Sequence, residues 1–254
     1  MNKFKIVILC LIAITNCIGQ NIITDRPDQT ESSSVINCGA IQVESGILIS
    51  EDNNINHLYG PSTLFRIGIL KNLELRLLSQ YEYQTDNNSL SKGFNDIELG
   101  VKIQLLNNEI KPVEIAFLSH LIIPSGSMGM SEHQIGIVNK LCISHRSTNK
   151  LSFAYNLGYN VFHNSDTLDN SNNQLTYSFV SAFEINNKVN IYIEPYGEII
   201  TKKPTINQDQ AITSNINAGV TYLVNKNLQL DYSFGTGLDN QSNFMSIGCS
   251  IKFE

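Results

Sequence analysis

Glu44, Arg66, Glu74, Arg76, Glu98, Lys102 and His120 stand at alternate positions of apolar runs in the first half of the chain. Tyr192, Glu194, Tyr196 and Glu198 do the same within one run of the second half. Side chains of these types support three kinds of chemistry. Carboxylates opposite guanidinium or ammonium groups form cross-strand pairs that can hold an interior together. Charges ringing a water-filled passage select solutes by sign. An imidazole or carboxylate beside a hydroxyl can serve as a general base in hydrolysis. The spacing argues against the third. Ser119 and His120 are adjacent, so on a strand they point to opposite faces. His145 has Asn139 in phase with it but no in-phase serine between them, and His57, His133 and His163 sit in or beside connections. There is no Gly-rich phosphate loop, no paired-Cys spacing and no metal-binding His pair. The expectation is a protein without catalytic residues, cofactor or metal. The Tyr192–Glu198 run reads as a polar-aromatic stripe suited to a ring-bearing solute.

The elements that place these residues follow from a period of two. Apolar and polar residues alternate in runs at 41–49, 63–69, 73–83, 97–105, 113–123, 134–145, 151–161, 175–185, 189–199, 212–224, 228–236 and 245–253. Such runs predict strands with two different faces. In 97–105, Ile97, Leu99, Val101, Ile103 and Leu105 oppose Glu98, Gly100, Lys102 and Gln104. The run 134–145 alternates weakly. One register puts Ile135, Ile137, Leu141 and Ile143 on a face with Asn139 and His145; the other would turn Lys140 toward lipid, which costs about 2–4 kcal/mol near a bilayer midplane. We adopt the first. Pro195 removes a ladder donor, and a bulge there would re-aim Tyr196.

Twelve strands joined alternately by long polar segments (51–60, 85–94, 124–132, 162–173, 201–210) and short turns (71–72, 107–112, 146–150, 186–188, 225–227) carry the signature of an all-β, antiparallel, up-and-down transmembrane barrel. A bilayer offers no hydrogen-bond partners, so the sheet must close, with apolar residues toward lipid and polar ones lining the lumen. Tyr81, Tyr83, Tyr159 and Tyr177 near the loop side, and Phe153, Phe183, Tyr222 and Phe253 near the turn side, would form interfacial belts. This register puts ten acids in the lumen: Glu44, Glu74, Glu82, Asp96, Glu98, Glu114, Glu184, Glu194, Glu198 and Asp231. Six bases join them: Arg66, Arg76, Lys102, Lys140, Arg146 and Lys252. The balance of −4 favours neutral or cationic solutes. Alternatively, Arg66, Glu74 and Arg76 form a salt-bridged plug that holds a narrow barrel together. A soluble β-sandwich or lipocalin-like barrel would show the same alternation with its faces reversed.

Residues 1–19 read as a secretory signal: Lys3 and Lys5, then an apolar core from Ile6 to Ile14, then Cys17 and Gly19 before Gln20. Lipidation of Cys17 is the alternative, with Asn16 before it a poor fit. Cys38, Cys142 and Cys249 then remain, an odd trio that makes no disulfide framework. Residues 20–38 form a polar leader on the periplasmic side. It carries Asp25, Arg26, Pro27, Asp28 and Glu31, and is read either as folding into the barrel or as a solvated tail; 39–254 form the barrel. No other apolar run reaches the length of a membrane helix. Only 16% of residues are charged, and the net charge of −6 excludes the basic face that nucleic-acid binding needs.

Several segments resemble a family of bacterial outer-membrane barrels labelled "putative MetA-pathway of phenol degradation". They are ITDRPDQTESSSVI (Ile23 to Ile36), GAIQVESG (Gly39 to Gly46), FRIGILKNLELRL (Phe65 to Leu77), FNDIELGVKIQLL (Phe94 to Leu106), PVEIAFLSHLIIPSG (Pro112 to Gly126), VNIYIEPYGEI (Val189 to Ile199) and VTYLVNKNLQLDYSFGTGL (Val220 to Leu238). The resemblance implies an outer-membrane channel or transporter for passive passage of small solutes, aromatic or hydrophobic ones included. It supplies no catalytic residues. The implied partners are outer-membrane lipid, the unknown solute and the barrel-assembly machinery, which reads a C-terminal aromatic; here Phe253 is penultimate and Glu254 last. The competing expectation is a closed barrel serving structure or adhesion.

Overall fold

The computed structural model describes residues 22–52, 55–86, 89–108, 113–164, 171–201, 211–239 and 241–254. The signal segment 1–19 and most of 201–210 lie outside the described residues. The strands are β1 (Ile41–Asp52), β2 (Ile55–Leu70), β3 (Leu73–Asp86), β4 (Ser89–Phe94), β5 (Ile97–Asn108), β6 (Val113–Ile123), β7 (Gln134–Arg146), β8 (Leu151–Asn164), β9 (Ser171–Asn186), β10 (Val189–Thr201), β11 (Ala211–Asn225), β12 (Leu228–Gly237) and β13 (Ser242–Phe253). β4 and β5 both pair with β3, one above the other, so the thirteen strands make twelve staves. Each stave pairs antiparallel with its sequence neighbour, and β1 pairs with β13 to close the barrel.

Local chemistry sets the turns. The side chain of Asn186 accepts the amides of Lys188 and Val189, and Asn225 accepts that of Asn227. Both are Asx turns, which let two antiparallel strands meet across two residues. The outer face is predominantly apolar, with polar pairs such as Ser119–Asn139 among its residues: Leu99 is 46% exposed and Ile247 62%. A row of such residues facing water would be untenable over this area, whereas lipid accepts it. In β7, Ile135, Ile137 and Leu141 point outward and Lys140 inward, the register adopted above.

Four expectations need correction. The segments 51–60 and 85–94 are mostly strand. β1 and β2 continue past the apolar band, and β4 folds back on upper β3 as a hairpin. Their residues are polar because they project beyond the bilayer, so the apolar signal ends before the strands do. β2 takes one extra residue at Gly60–Pro61 opposite β1, and the bulge resets its phase so that Tyr59 and Ser62 both face inward. No bulge forms at Pro195: the register with β11 runs unbroken from Ile193 to Tyr196, leaving Tyr196 in the lumen. Asp96 does not project into the lumen chain of charges. It sits between β4 and β5 and accepts the amides of Ser125, Gly126 and Glu132, tying down the connection that follows β6.

Candidate functional site

The leader, described from residue 22, lies inside the barrel as far as Ile36 and emerges at the exposed Cys38 and Gly39 before β1. Its path is set by polar groups on the lumen wall. Glu44 accepts the backbone amides of Asp25 (2.9 Å) and Arg26 (3.1 Å). Glu194 accepts those of Gln29 (2.9 Å) and Thr30 (2.7 Å), and Glu74 accepts that of Ile36 (2.9 Å). Asn156 accepts the amide of Glu31 and donates back to its carbonyl. In return, Arg66 donates to the carbonyls of Ile23 and Ser34, and Lys102 to that of Ser32. A buried chain without secondary structure must have its amides and carbonyls satisfied individually, and the strand carboxylates, amides and cations do that here.

Asp25 lies at the centre. Its carboxylate meets Arg76 at 2.5 Å, Lys102 at 2.7 Å and Arg66 at 3.3 Å. Arg66 also reaches Glu44 and Glu74, each at 2.9 Å, and Arg76 reaches Glu74 at 3.0 Å and Glu31 at 2.8 Å. Arg66, Lys102, Glu44 and Glu74 are completely buried. Arg76 Nε donates to His120 Nε2 at 3.0 Å. An arginine can only donate, so Nε2 carries the lone pair and Nδ1–H of His120 donates to Glu98 at 2.8 Å. Glycines admit these groups. A Cβ at Gly46 or Gly248 would collide with the Arg26 guanidinium, one at Gly68 with the Asn37 carbonyl, and one at Gly100 with the His120 ring.

The leader bonds to β1, β2, β3, β5, β6, β7, β8, β9, β10, β12 and β13. It therefore crosses the lumen rather than lining one side of it. Between it and the loop end lies a cavity of about 800 Å³. The cavity wall is mixed: Leu64, Leu78, Leu118 and Val138 face Tyr196, Glu198 and Gln174.

The structure thus separates the sequence-derived candidates. Glu44, Arg66, Glu74, Arg76 and Lys102 join in one ion-pair network around Asp25, with Glu98 and His120 at its edge. Tyr192 and Glu194 lie buried beneath the leader, whereas Tyr196 and Glu198 face the cavity, so the polar-aromatic stripe is split. Phe253 faces outward at the turn side opposite Ile41, and Glu254 turns back to Lys252 at 2.9 Å. Ser119 Oγ bonds Asn139 on the outer face while His120 points into the lumen, so the two never meet. Residues of the leader itself, Asp25, Arg26, Thr30 and Glu31, belong to the site but were absent from the candidates. A signal was present in the wall: small residues (Gly46, Gly68, Gly248) on a face that otherwise carries long side chains.

These features define a class: an outer-membrane β-barrel of twelve staves whose lumen is crossed by its own N-terminal leader. The chain belongs to the family described as "Putative MetA-pathway of phenol degradation", whose profile matches residues 24–253. No curated protein matches the sequence. Among solved structures, an outer membrane channel from Pseudomonas putida F1 is similar at a TM-score of 0.71 and 11% identity, over 90% of this chain and 100% of that one. The KdgM porin in complex with disordered oligogalacturonate is similar at a TM-score of 0.57 and 14% identity, over 84% and 99%. The NanC porin aligns at 0.57 and 10% identity, over 84% and 100%. At these identities the likeness is one of fold.

Proposed function

We propose that the chain is an outer-membrane channel for passive passage of small solutes, partly apolar or aromatic ones among them. The observation that carries this is the cavity of about 800 Å³ inside the barrel, stopped on one side by a leader held mainly through hydrogen bonds and ion pairs, with Ile22, Val35 and Ile36 buried among them. Hydrogen bonds and ion pairs exchange with water, whereas a packed apolar plug would not. The aliphatic patch of Leu64, Leu78, Leu118 and Val138 beside Tyr196 suits a solute with an apolar or ring portion. The channel and porins similar in fold support this reading. Export through a cleaved signal at 1–19, and insertion guided by Phe253, belong to the same proposal.

A second reading, a closed barrel of structural role, draws on the leader's contacts around nearly the whole circumference. Swelling of proteoliposomes separates the two. The channel reading expects swelling in small neutral solutes that fades as solute size grows. Absence of swelling in every solute, with the barrel shown to be folded by its heat-modifiable gel mobility, supports the closed barrel instead.

A further inference from the structure

The leader is not held equally on all sides. On the β1–β5 wall, Arg66, Arg76 and Lys102 each engage the Asp25 carboxylate, and Glu44 and Glu74 take leader amides. On the β6–β7 wall, Ala116, Leu118 and Cys142 pack into a buried apolar cluster. The β10–β13 wall carries the largest group of unpaired buried polar atoms, although Gln42 Oε1 on β1 and Asn160 Oδ1 on β8 are unpaired as well. On that wall Asn217 Oδ1, Asp231 Oδ2 and Ser250 Oγ have no hydrogen-bond partner in the protein, although each of these residues is at least 96% buried, and the fully buried Ser233 Oγ has only the Tyr192 hydroxyl beside it. They sit on three consecutive staves, β11 to β13, beside the lumen-facing glycines Gly219, Gly235 and Gly248, whose recesses hold the Tyr192 ring, the Phe244 ring and the Arg26 side chain in turn. A buried polar atom left unpaired bears its full desolvation cost, so three together make a surface that gains by meeting water or a polar solute. The leader meets this wall through few groups: Thr24 accepts from Gln229, Arg26 reaches Asp231 at 3.2 Å and Ser246 at 2.8 Å, and the Ile22 amide donates to the Lys226 carbonyl at 2.9 Å. Arg26 Nε is itself unpaired, and the side chain borders the cavity.

We propose that solutes pass the leader along the β11–β13 wall, and that Arg26 on Asp231 is the latch of this path. The inference rests on the channel reading above. Swinging the Arg26 side chain away empties the recess at Gly46 and Gly248 and joins the cavity to the polar strip beside it, while the ion pairs on the opposite wall keep the leader anchored. The strip then presents the free Asp231 carboxylate, which favours cations.

Single-channel recording in planar bilayers tests this with the full chain in a Cys38→Ser background. Arg26→Ala, or Arg26→Gln should the alanine variant not insert, is expected to raise conductance several-fold and to shift the reversal potential toward cation selectivity. Adding Asp231→Asn is expected to cancel the shift. In Ser233→Cys, a small cationic methanethiosulfonate reagent is expected to cut the current by more than half, while the parent, which retains Cys142 on the opposite wall, is unaffected. A conducting parent whose current is unchanged by Arg26→Ala, or is blocked through Cys142 and not through Ser233→Cys, overturns the path but leaves the channel reading intact. Silence in both the parent and Arg26→Ala, with both barrels folded, overturns both. A silent parent with a conducting Arg26→Ala supports the latch and a closed resting state.

Discussion

Removing residues 22–37 is expected to turn a small, steady conductance into one several-fold larger, with the barrel still folded. The leader contributes no rung to the sheet, so its loss leaves every strand pairing and the whole lipid face untouched. The charged groups it covered, Arg66, Arg76, Lys102, Glu44 and Glu74, face the lumen, and water entering there replaces the lost partners. A folded barrel thus survives with a wide polar bore. Planar-bilayer recording of the truncated chain beside the full one measures the effect. Equal conductances would mean that the leader does not narrow the conducting route.

The second large effect concerns stability. Arg66→Ala takes from Glu44 its cation partner, and from Asp25 and Glu74 one of theirs, while the leader still shields all three from water. Breaking a buried ion pair by removing one member destabilises by about 3–5 kcal/mol, because it strands a charge in a poorly solvated site. Arg146, exposed at a turn, serves as the control; surface changes of that kind usually stay within about 0.5 kcal/mol. The temperature at which the compact gel band converts to the unfolded one should fall markedly for Arg66→Ala and barely for Arg146→Ala. If both fall equally, the network around Asp25 is not what holds this half of the lumen.

How far the sequence could be read depended on where a bilayer was imposing its pattern. Ile97 to Leu105 and Met245 to Phe253 alternate because lipid and lumen lie on opposite sides of each strand, and their register follows directly. Beyond the bilayer that constraint lapses. Ile55 to Pro61 and Ser89 to Phe94 are strands by backbone pairing alone, and nothing in their side chains distinguishes them from a polar loop. Asp96 looked like a lumen residue because alternation was extrapolated through Asn95–Asp96, where the stave is interrupted. The leader was undetermined for another reason. Asp25, Arg26 and Glu31 suit water as well as they suit the lumen, and only their distant partners (Arg76 and Lys102 for Asp25, Asp231 for Arg26) decide between the two. Local sequence does not record such partners. Glu194 shows the same limit: its phase gave the face, but not that Gln29 and Thr30 would occupy its carboxylate.

All of this depends on which side of the sheet meets lipid. Nitroxide labels placed singly from Met245 to Ile251 in the reconstituted barrel, with oxygen and a polar nickel chelate as relaxing agents, report that orientation residue by residue. The account predicts a period of two, with oxygen contact highest at Met245, Ile247, Cys249 and Ile251 and lowest at Ser246, Gly248 and Ser250. Oxygen contact in the opposite phase, or uniform access of the nickel chelate along the strand, would contradict it.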